Sequence, residues 1–187
     1  MNLNVYLAHS GIASRRAAAE LIKAGKVMVN GEVVLEPWRH VTGKDTVSVD
    51  GKQAKKERFV YIVLNKPPGV TSTVDDPFAT RKVVDFAPAG AGRVYPVGRL
   101  DRLSRGLLIL TNDGDLCYKL THPKFNIEKE YSVTIKGEVD DAIIERLKRG
   151  VQDAGEHLKA RSATVRQSGT DRSVVDIIVN EGKKRHL

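Results

Sequence analysis

Cysteine is almost absent from this chain, and so are long apolar runs. Cys117 is the only cysteine among the 187 residues, so no disulfide can form within the chain, and we expect its side chain to pack in a core. No apolar stretch approaches the roughly 18 residues that a membrane-spanning helix requires. The segment Met1–Asn4 lacks the basic-then-apolar pattern of a signal peptide. These absences exclude a disulfide-stapled fold and a membrane protein, and they predict a cytoplasmic location.

Metal-ligand patterns are missing as well. The five histidines are scattered along the chain, at His9, His40, His122, His157 and His186. None has a ligand-like spacing to the single cysteine or to another histidine. Glycine-rich phosphate-binding motifs are also missing. We therefore expect no metal site and no small-molecule cofactor.

Positive charge is in excess. The chain holds 31 Lys and Arg against 23 Asp and Glu, a net charge of +8. Residues 1–58 carry 10 basic and 6 acidic residues, a net charge of +4 on less than half of the chain. Such an excess attracts polyanions, and contacts with phosphates are its commonest reason. Charge alone equally allows a solvated basic surface, so the function has to be inferred from motifs.

The N-terminal residues predict two helices. A short helix is expected over residues 3–9, and a second one follows Ser14, whose hydroxyl can cap the free N–H groups at a helix start. Gly25 can end this second helix in a left-handed turn. Its apolar face is expected to consist of Ala17, Leu21 and Ala24, with Ala18 and Ile22 beside it.

Turn residues then predict short strands. Asn30-Gly31 stands between two alternating segments, which is a strong signal for a two-residue hairpin over residues 27–33. A further strand is expected over residues 46–49, and it ends at Asp50-Gly51. The segment Lys52–Arg58 is polar and charged without an apolar anchor, and we interpret it as a mobile linker.

The linker predicts two domains, residues 1–51 and residues 59–187. In the second domain, strands are expected over residues 59–64, 93–97, 107–111, 131–135 and 173–179, and helices over residues 116–120 and 140–149. The predicted fold class is α+β: a small helix–hairpin domain, then a mixed, largely antiparallel sheet with flanking helices.

The first domain carries a recognisable basic motif. Ser14-Arg15-Arg16 is followed by Gly25-Lys26-Val27 and by Val29-Asn30-Gly31, and this pattern resembles the S-four-like RNA-binding domain. A helix that bears arginines offers charge and forked donors to phosphates, while the hairpin fixes its angle. The candidate RNA-binding residues in this domain are Arg15, Arg16, Lys23 and Lys26.

The second domain places one carboxylate among arginines. Asp101 lies in the run Pro96–Gly114, in a loop before an apolar strand, close in sequence to Arg99, Arg102 and Arg105. Nearby arginines favour the ionised form of a carboxylate, and they can also bind RNA phosphates. For an isolated Gly-Arg-Leu-Asp, an ordinary surface salt bridge would be the alternative interpretation.

The surroundings of this run resemble a known enzyme family. Together with the S-four-like domain, the run is similar to the RsuA/RluB-type ribosomal RNA pseudouridine synthases over nearly the whole chain. Further matching segments, in the family's order, are Leu64–Val70, Asp75-Asp76-Pro77, His122-Pro123, Lys129-Glu130-Tyr131 and Glu181–Arg185.

The resemblance implies roles for individual residues. Asp101 matches the essential aspartate, the catalytic nucleophile, and Arg99 matches an arginine that helps to hold the flipped-out nucleotide. Tyr131 matches an aromatic residue that stacks on the target base, although a core tyrosine in a strand is the alternative. Lys66 belongs to a turn that supports the site. Further residues implied in RNA binding are Arg102, Arg105, Lys183, Lys184 and Arg185, and Leu187 matches an apolar position of the uracil pocket.

The implied reaction isomerises a uridine to pseudouridine without a cofactor. The expected partner is ribosomal RNA, with the large subunit favoured, and the expected state is a monomer. Whether Asp101 attacks covalently or removes a ribose proton stays open. A non-catalytic RNA-binding or ribosome-assembly factor is the alternative, and a glycoside hydrolase is a weaker one because that chemistry usually needs two facing carboxylates and the sequence offers no convincing partner for Asp101.

The end of the chain departs from the family pattern. In the family, the segment Glu181–Arg185 continues into a basic run, and an arginine that pairs with the catalytic aspartate would stand one position after Leu187. The chain is therefore expected to be C-terminally truncated, and the activity of this polypeptide is expected to be weak or lost.

Overall fold

A computed structural model describes residues 1–153 and 155–180. The chain divides into two compact units, residues 1–117 and residues 118–187. Within the described part, helices accompany sheets whose strand pairs are all antiparallel, which confirms the α+β class. No helix in that part is long and apolar enough to cross a bilayer.

The first unit begins with two helices and a small sheet. Its elements are α1 (Leu3–His9), α2 (Arg15–Lys23), β1 (Val27–Val29), β2 (Glu32–Val33), β3 (Val47–Val49) and β4 (Lys52–Gln53). The strand order is β2-β1-β3-β4. The Ser14 hydroxyl accepts a hydrogen bond of 3.2 Å from the backbone N–H of Ala17, so the predicted cap is present. The predicted hairpin also forms, with left-handed Asn30 and Gly31 in its turn.

The buried face of α2 differs from the prediction. Ala18 and Ile22 are fully buried, whereas Ala17 and Ala24 are exposed. Residues four apart lie above one another on a helix, so Ala18 and Ile22 form one narrow stripe that packs into the core of this region. Alanines stand on both faces of this helix, so the sequence does not show which of them point into the core. The predicted apolar face therefore lay one residue too early in the chain.

The segment Lys52–Arg58 is anchored, contrary to its interpretation as a mobile linker. Lys52 and Gln53 form β4, which pairs with β3 after a left-handed turn at Asp50-Gly51. Ala54 is only 4% exposed, and its N–H donates a hydrogen bond of 2.8 Å to the Val47 carbonyl. The Glu57 N–H donates to the His9 carbonyl at 3.0 Å. Backbone hydrogen bonds, which composition does not reveal, supply the anchors. The division into two domains stays a prediction.

The rest of the first unit contains a three-stranded sheet. Its strands are β5 (Tyr61–Lys66), β6 (Tyr95–Pro96) and β7 (Gly106–Thr111), in the order β5-β7-β6. A 3-10 helix (Val83–Phe86) lies between β5 and β6. One face of the sheet packs on a core that contains Val70, Val83, Val94, Leu108 and Leu110. The helix α3 (Gly114–Thr121) follows β7, and the boundary between the two units falls within it, after Cys117.

The second unit is also built on antiparallel strands. Its elements are a 3-10 helix (Pro123–Phe125), β8 (Lys129–Lys136), α4 (Asp141–Arg149), β9 (Val151–Asp153), β10 (Glu156–Leu158), β11 (Ser162–Gln167) and β12 (Arg172–Val179). The strand order is β11-β12-β8, and β9 pairs with β10. The predicted α4 is present, with the Asp140 carboxylate accepting from the Ile143 N–H at 2.8 Å. The short strands β9, β10 and β11 were not predicted.

Candidate active site

A polar cavity lies where two loops of the first unit meet. Its volume is about 310 Å³, at the lower end of the range of roughly 300–1,000 Å³ for small-ligand pockets. Its lining residues are Thr71, Ser72, Thr73, Asp76, Arg99, Leu100, Asp101 and Arg102. The two predicted residues Asp101 and Arg99 therefore line one cavity, together with a segment that follows β5.

The loop that carries Asp101 is bounded by two glycines. Gly98 has φ of 78° and Gly106 has φ of 128°, conformations that side chains with a Cβ rarely adopt. Just before the loop, the Val97 N–H donates to the Ile109 carbonyl at 2.8 Å, which continues the pairing of β6 with β7. The loop thus leaves and re-enters the sheet on neighbouring strands, and Asp101 lies between two fixed ends.

Ser72 fixes the side of the loop that precedes Asp101. Its hydroxyl donates a hydrogen bond of 2.7 Å to the Leu100 carbonyl and accepts one of 3.1 Å from the Leu100 N–H. Ser72 is buried, so water does not compete well for these bonds. Beyond Asp101, the Gly69 N–H donates to the Arg102 carbonyl at 2.7 Å. Both flanks of Asp101 are therefore tied to the segment after β5, a contact that the sequence did not indicate.

Lys66 also holds this loop, through hydrogen bonds to its backbone carbonyl groups. Its side chain is 0% exposed, and its Nζ donates to the carbonyl oxygens of Ser104 at 2.8 Å and Asp101 at 3.0 Å. The carbonyl oxygens of Pro67 and Arg102 lie at 3.2 and 3.3 Å. Burial lowers the pKa of Lys66, while the Asp101 carboxylate acts in the opposite direction. The carbonyl groups replace the hydration shell of the ammonium group, so Lys66 supports the site as a structural centre of the loop.

The carboxylate of Asp101 is left available by this arrangement. Asp101 is exposed, and within the described part of the chain it forms no ion pair. Arg99, Arg102 and Arg105 are also exposed and unpaired with any carboxylate there. Among the described residues, Asp101 therefore has no partner for an ordinary surface salt bridge. A free carboxylate on a rigid loop, with arginines beside it, can act on an anionic substrate as nucleophile or base.

Two family models match the chain. The model described as RNA pseudouridylate synthase matches residues 60–187, and the one described as S4 domain matches residues 1–47. The chain belongs to the RNA pseudouridylate synthase family. It is therefore a pseudouridine synthase, an isomerase, with an N-terminal S4 RNA-binding domain, which confirms the family predicted from the motifs.

Known proteins are similar in sequence to this synthase over nearly the whole chain. Ribosomal large subunit pseudouridine synthase B of Bacillus subtilis (strain 168) is 40% identical over 187 residues, which cover 99% of this chain and 77% of that protein. An RNA pseudouridine synthase of Aquifex aeolicus (strain VF5) is 37% identical over 189 residues, covering 100% and 76%. A crystal structure of a pseudouridylate synthase superposes with a TM-score of 0.61 and 26% identity, covering 98% of this chain and 79% of that one.

The third residue predicted for the active site of the synthase lies in the second unit. Tyr131 is in β8, where it pairs with Ile177 of β12. Its side chain is partly buried and packs against the core of that unit. This packing fits the alternative of a core tyrosine, although Tyr131 is only partly buried.

The remaining predicted residues concern RNA binding. The four residues of the S4 domain that were predicted to bind RNA are all exposed: Arg15, Arg16, Lys23 and Lys26. Only Lys23 among them forms an ion pair in the described part, at 3.1 Å from Glu20. The predicted residues Lys183, Lys184, Arg185 and Leu187 lie outside the described residues. Among the residues described, no group of three His, Cys, Asp or Glu side chains is arranged to hold a metal ion.

Proposed function

We propose that this synthase isomerises a specific uridine of large-subunit ribosomal RNA and that Asp101 is its catalytic nucleophile. The observation that carries the proposal is the placement of the Asp101 carboxylate: it is exposed in a cavity, on a loop held through its backbone by Ser72 and Lys66. The substrate class is supported by the Bacillus subtilis relative, whose name specifies the large ribosomal subunit.

The chemistry requires a nucleotide that has left its helix. Extrusion of a base costs about a few kcal/mol, least for an unpaired base, and the extruded uridine would enter the cavity beside Asp101. The bond from ribose C1′ to uracil N1 then breaks, the uracil turns, and C1′ bonds to uracil C5. The proton lost from C5 is balanced by the proton gained at N1, so no oxidant or reductant is consumed. Either covalent attack or proton removal by Asp101 fits this scheme.

The arginines on the loop would hold the substrate. Arg99 lines the cavity beside Asp101, where its planar guanidinium group can bind a phosphate or fill the gap left by the extruded base. Arg102 and Arg105 are exposed on the same loop and are proposed to contact phosphates. Tyr131 is proposed to stack on the target uracil, in keeping with its place in the family motif.

The two domains would divide binding and catalysis. We propose residues 1–51 as the RNA-binding domain and residues 59–187 as the catalytic domain, and we place a phosphate-binding surface on the exposed side of α2, at Arg15 and Arg16. Many phosphate contacts supply affinity and register, whereas the uridine is chosen by the RNA around it.

The experiment is a map of pseudouridines in ribosomal RNA from cells with and without the gene. We expect loss of pseudouridine at one large-subunit position and its return when the gene is restored. A loss confined to small-subunit RNA would contradict the substrate assignment. An unchanged map of both RNAs would contradict ribosomal RNA as the substrate.

A further inference from the structure

Phe78 is unusually exposed for an aromatic side chain. Its exposed fraction is 94%, and no other large apolar side chain in the described part of the chain reaches this value. A phenylalanine ring left in water gives up the stabilisation that burial would provide, so a partner that covered the Phe78 ring would gain free energy. Phe78 lies between β5 and the 3-10 helix Val83–Phe86, two residues after Asp76, which lines the cavity of Asp101.

The segment that presents Phe78 is ordered by its own hydrogen bonds. The Phe78 N–H donates to the Asp76 carboxylate at 2.9 Å, and the Ala79 N–H donates to the Asp76 carbonyl at 3.1 Å. Lys82 forms an ion pair of 3.7 Å with Asp75. Asp76 therefore both lines the cavity and holds the backbone of Phe78. The backbone of Phe78 thus lies in a defined turn next to Asp76, a residue of the cavity lining.

The charged residues at the cavity and near Phe78 indicate which class of molecule would cover the ring. Arg99 and Arg102 line the cavity, and Arg81 is exposed three residues after Phe78. A protein partner that covers an apolar side chain generally supplies an apolar surface, whereas here one aromatic ring lies in a charged segment that holds Asp75, Asp76 and Arg81, next to a cavity lined by two arginines. Cations along the backbone with an aromatic ring for the bases are the combination that proteins use for unpaired RNA.

We propose that Phe78 stacks on an unpaired base next to the target uridine and so positions the RNA at the cavity. The inference rests on the proposed function, since it assumes an RNA substrate at Asp101. Extrusion of the uridine removes a stacking partner from its neighbours, and the ring of Phe78, on the turn whose backbone Asp76 holds, would replace that partner. Phe78 is a positioning residue in this account, because the reacting atoms lie in the cavity.

The test compares Phe78→Ala, Phe78→Leu and Phe78→Trp on an RNA hairpin that carries the mapped uridine, with 2-aminopurine at each flanking position in turn. Stacking on the ring quenches the fluorescence of this base. Loss of one stacked base corresponds to roughly a tenfold rise in KM, with kcat changed much less because the contact is made equally before and during the reaction. We expect this rise, and loss of quenching at one flanking position, for the alanine and leucine variants. The tryptophan variant should keep both properties.

The matched control is Val63→Ala. Val63 is 74% exposed and lies on β5, outside the residues that line the cavity, so its variant should keep the wild-type KM and quenching. Because Phe78 is almost fully exposed, its variants should melt at the wild-type temperature. Wild-type KM and quenching in Phe78→Ala would overturn the inference, as would full rescue by leucine. Quenching by the full-length wild-type protein without pseudouridine formation would instead contradict the proposed function, while the inference about stacking by Phe78 would stand.

Discussion

The Nζ of Lys66 donates a hydrogen bond of 3.0 Å to the backbone carbonyl of Asp101, across 35 residues of sequence. The same ammonium group reaches the Ser104 carbonyl at 2.8 Å, so one buried charge fixes the loop on both sides of Arg102. The contact uses only the backbone of Asp101, and the carboxylate is therefore free to meet a substrate. The hydrogen bonds of Lys66 thus hold the loop in place and, because they use carbonyl groups, they leave the Asp101 carboxylate unoccupied.

We predict that Lys66→Met lowers both stability and turnover. Methionine has a similar unbranched length, but it leaves several buried carbonyl groups without a donor, at a cost of about 3 kcal/mol in the free energy of unfolding. The loop would also lose its fixed position, so kcat should fall more than KM changes. Urea unfolding and steady-state kinetics measure the two effects. Lys55→Met, at an exposed lysine, is the control, and equal stability of the two variants would refute the role of Lys66.

We predict that replacing both Arg15 and Arg16 by alanine weakens RNA binding and flattens its dependence on salt. Each phosphate contact contributes a little under one unit to the slope of log K against log salt, so the slope should fall by roughly one to two units. Titrations at several salt concentrations give this slope. The control replaces Lys44 and Lys52, which are exposed in the same region but lie off α2. An equal loss of slope in the two double variants would show that only net charge matters.

We predict an acid-dependent contribution of Asp45 to stability. Hydrogen bonds from the Thr42 backbone, the Asn30 side chain and the Thr42 hydroxyl lower the pKa of Asp45 from 3.8 to about 2. The ionised form is thus favoured in the folded state, so the stabilisation is complete above pH 3.8 and disappears as the pH falls through about 2.

The measurement is the melting temperature of the wild type and of Asp45→Asn between roughly pH 5 and pH 2, the window in which the Asp45 carboxylate gains its proton. We expect the wild type to melt higher at the upper end and the difference to shrink at the lower end. Glu32→Gln, at an exposed carboxylate in β2, is the control for the loss of one negative charge in the same sheet region. A difference that is constant over this range would contradict the prediction.

Local signals explain most of what the sequence predicted of the fold. The cap at Ser14 and the hairpin at Asn30-Gly31 depend on residues within a few positions, and both are present. The pair Asp50-Gly51 is the same kind of signal, yet β4 was interpreted as linker because Lys52 and Gln53 are polar. Both side chains of this short edge strand are exposed, so no apolar alternation marks it.

The candidate site was predictable only in part. Asp101 and Arg99 are two residues apart within one motif, and they line one cavity. The hydrogen bonds of Ser72 with Leu100 span 28 residues, and no pattern in the sequence pairs these positions. Phe78 is a single aromatic residue in a polar segment, and its exposure depends on a turn that only the structure gives.

The measurement that tests the central claim most directly is pseudouridine formation by the full-length gene product with Asp101→Asn, beside the same protein without the substitution, on large-subunit ribosomal RNA from cells that lack the gene. The amide keeps the shape of the side chain but is a poor nucleophile and a poor base, so we expect no detectable pseudouridine. RNA affinity should stay close to that of the wild type, because it depends on many phosphate contacts. Pseudouridine formation by this variant at the wild-type rate would contradict the assignment of Asp101 as the catalytic nucleophile.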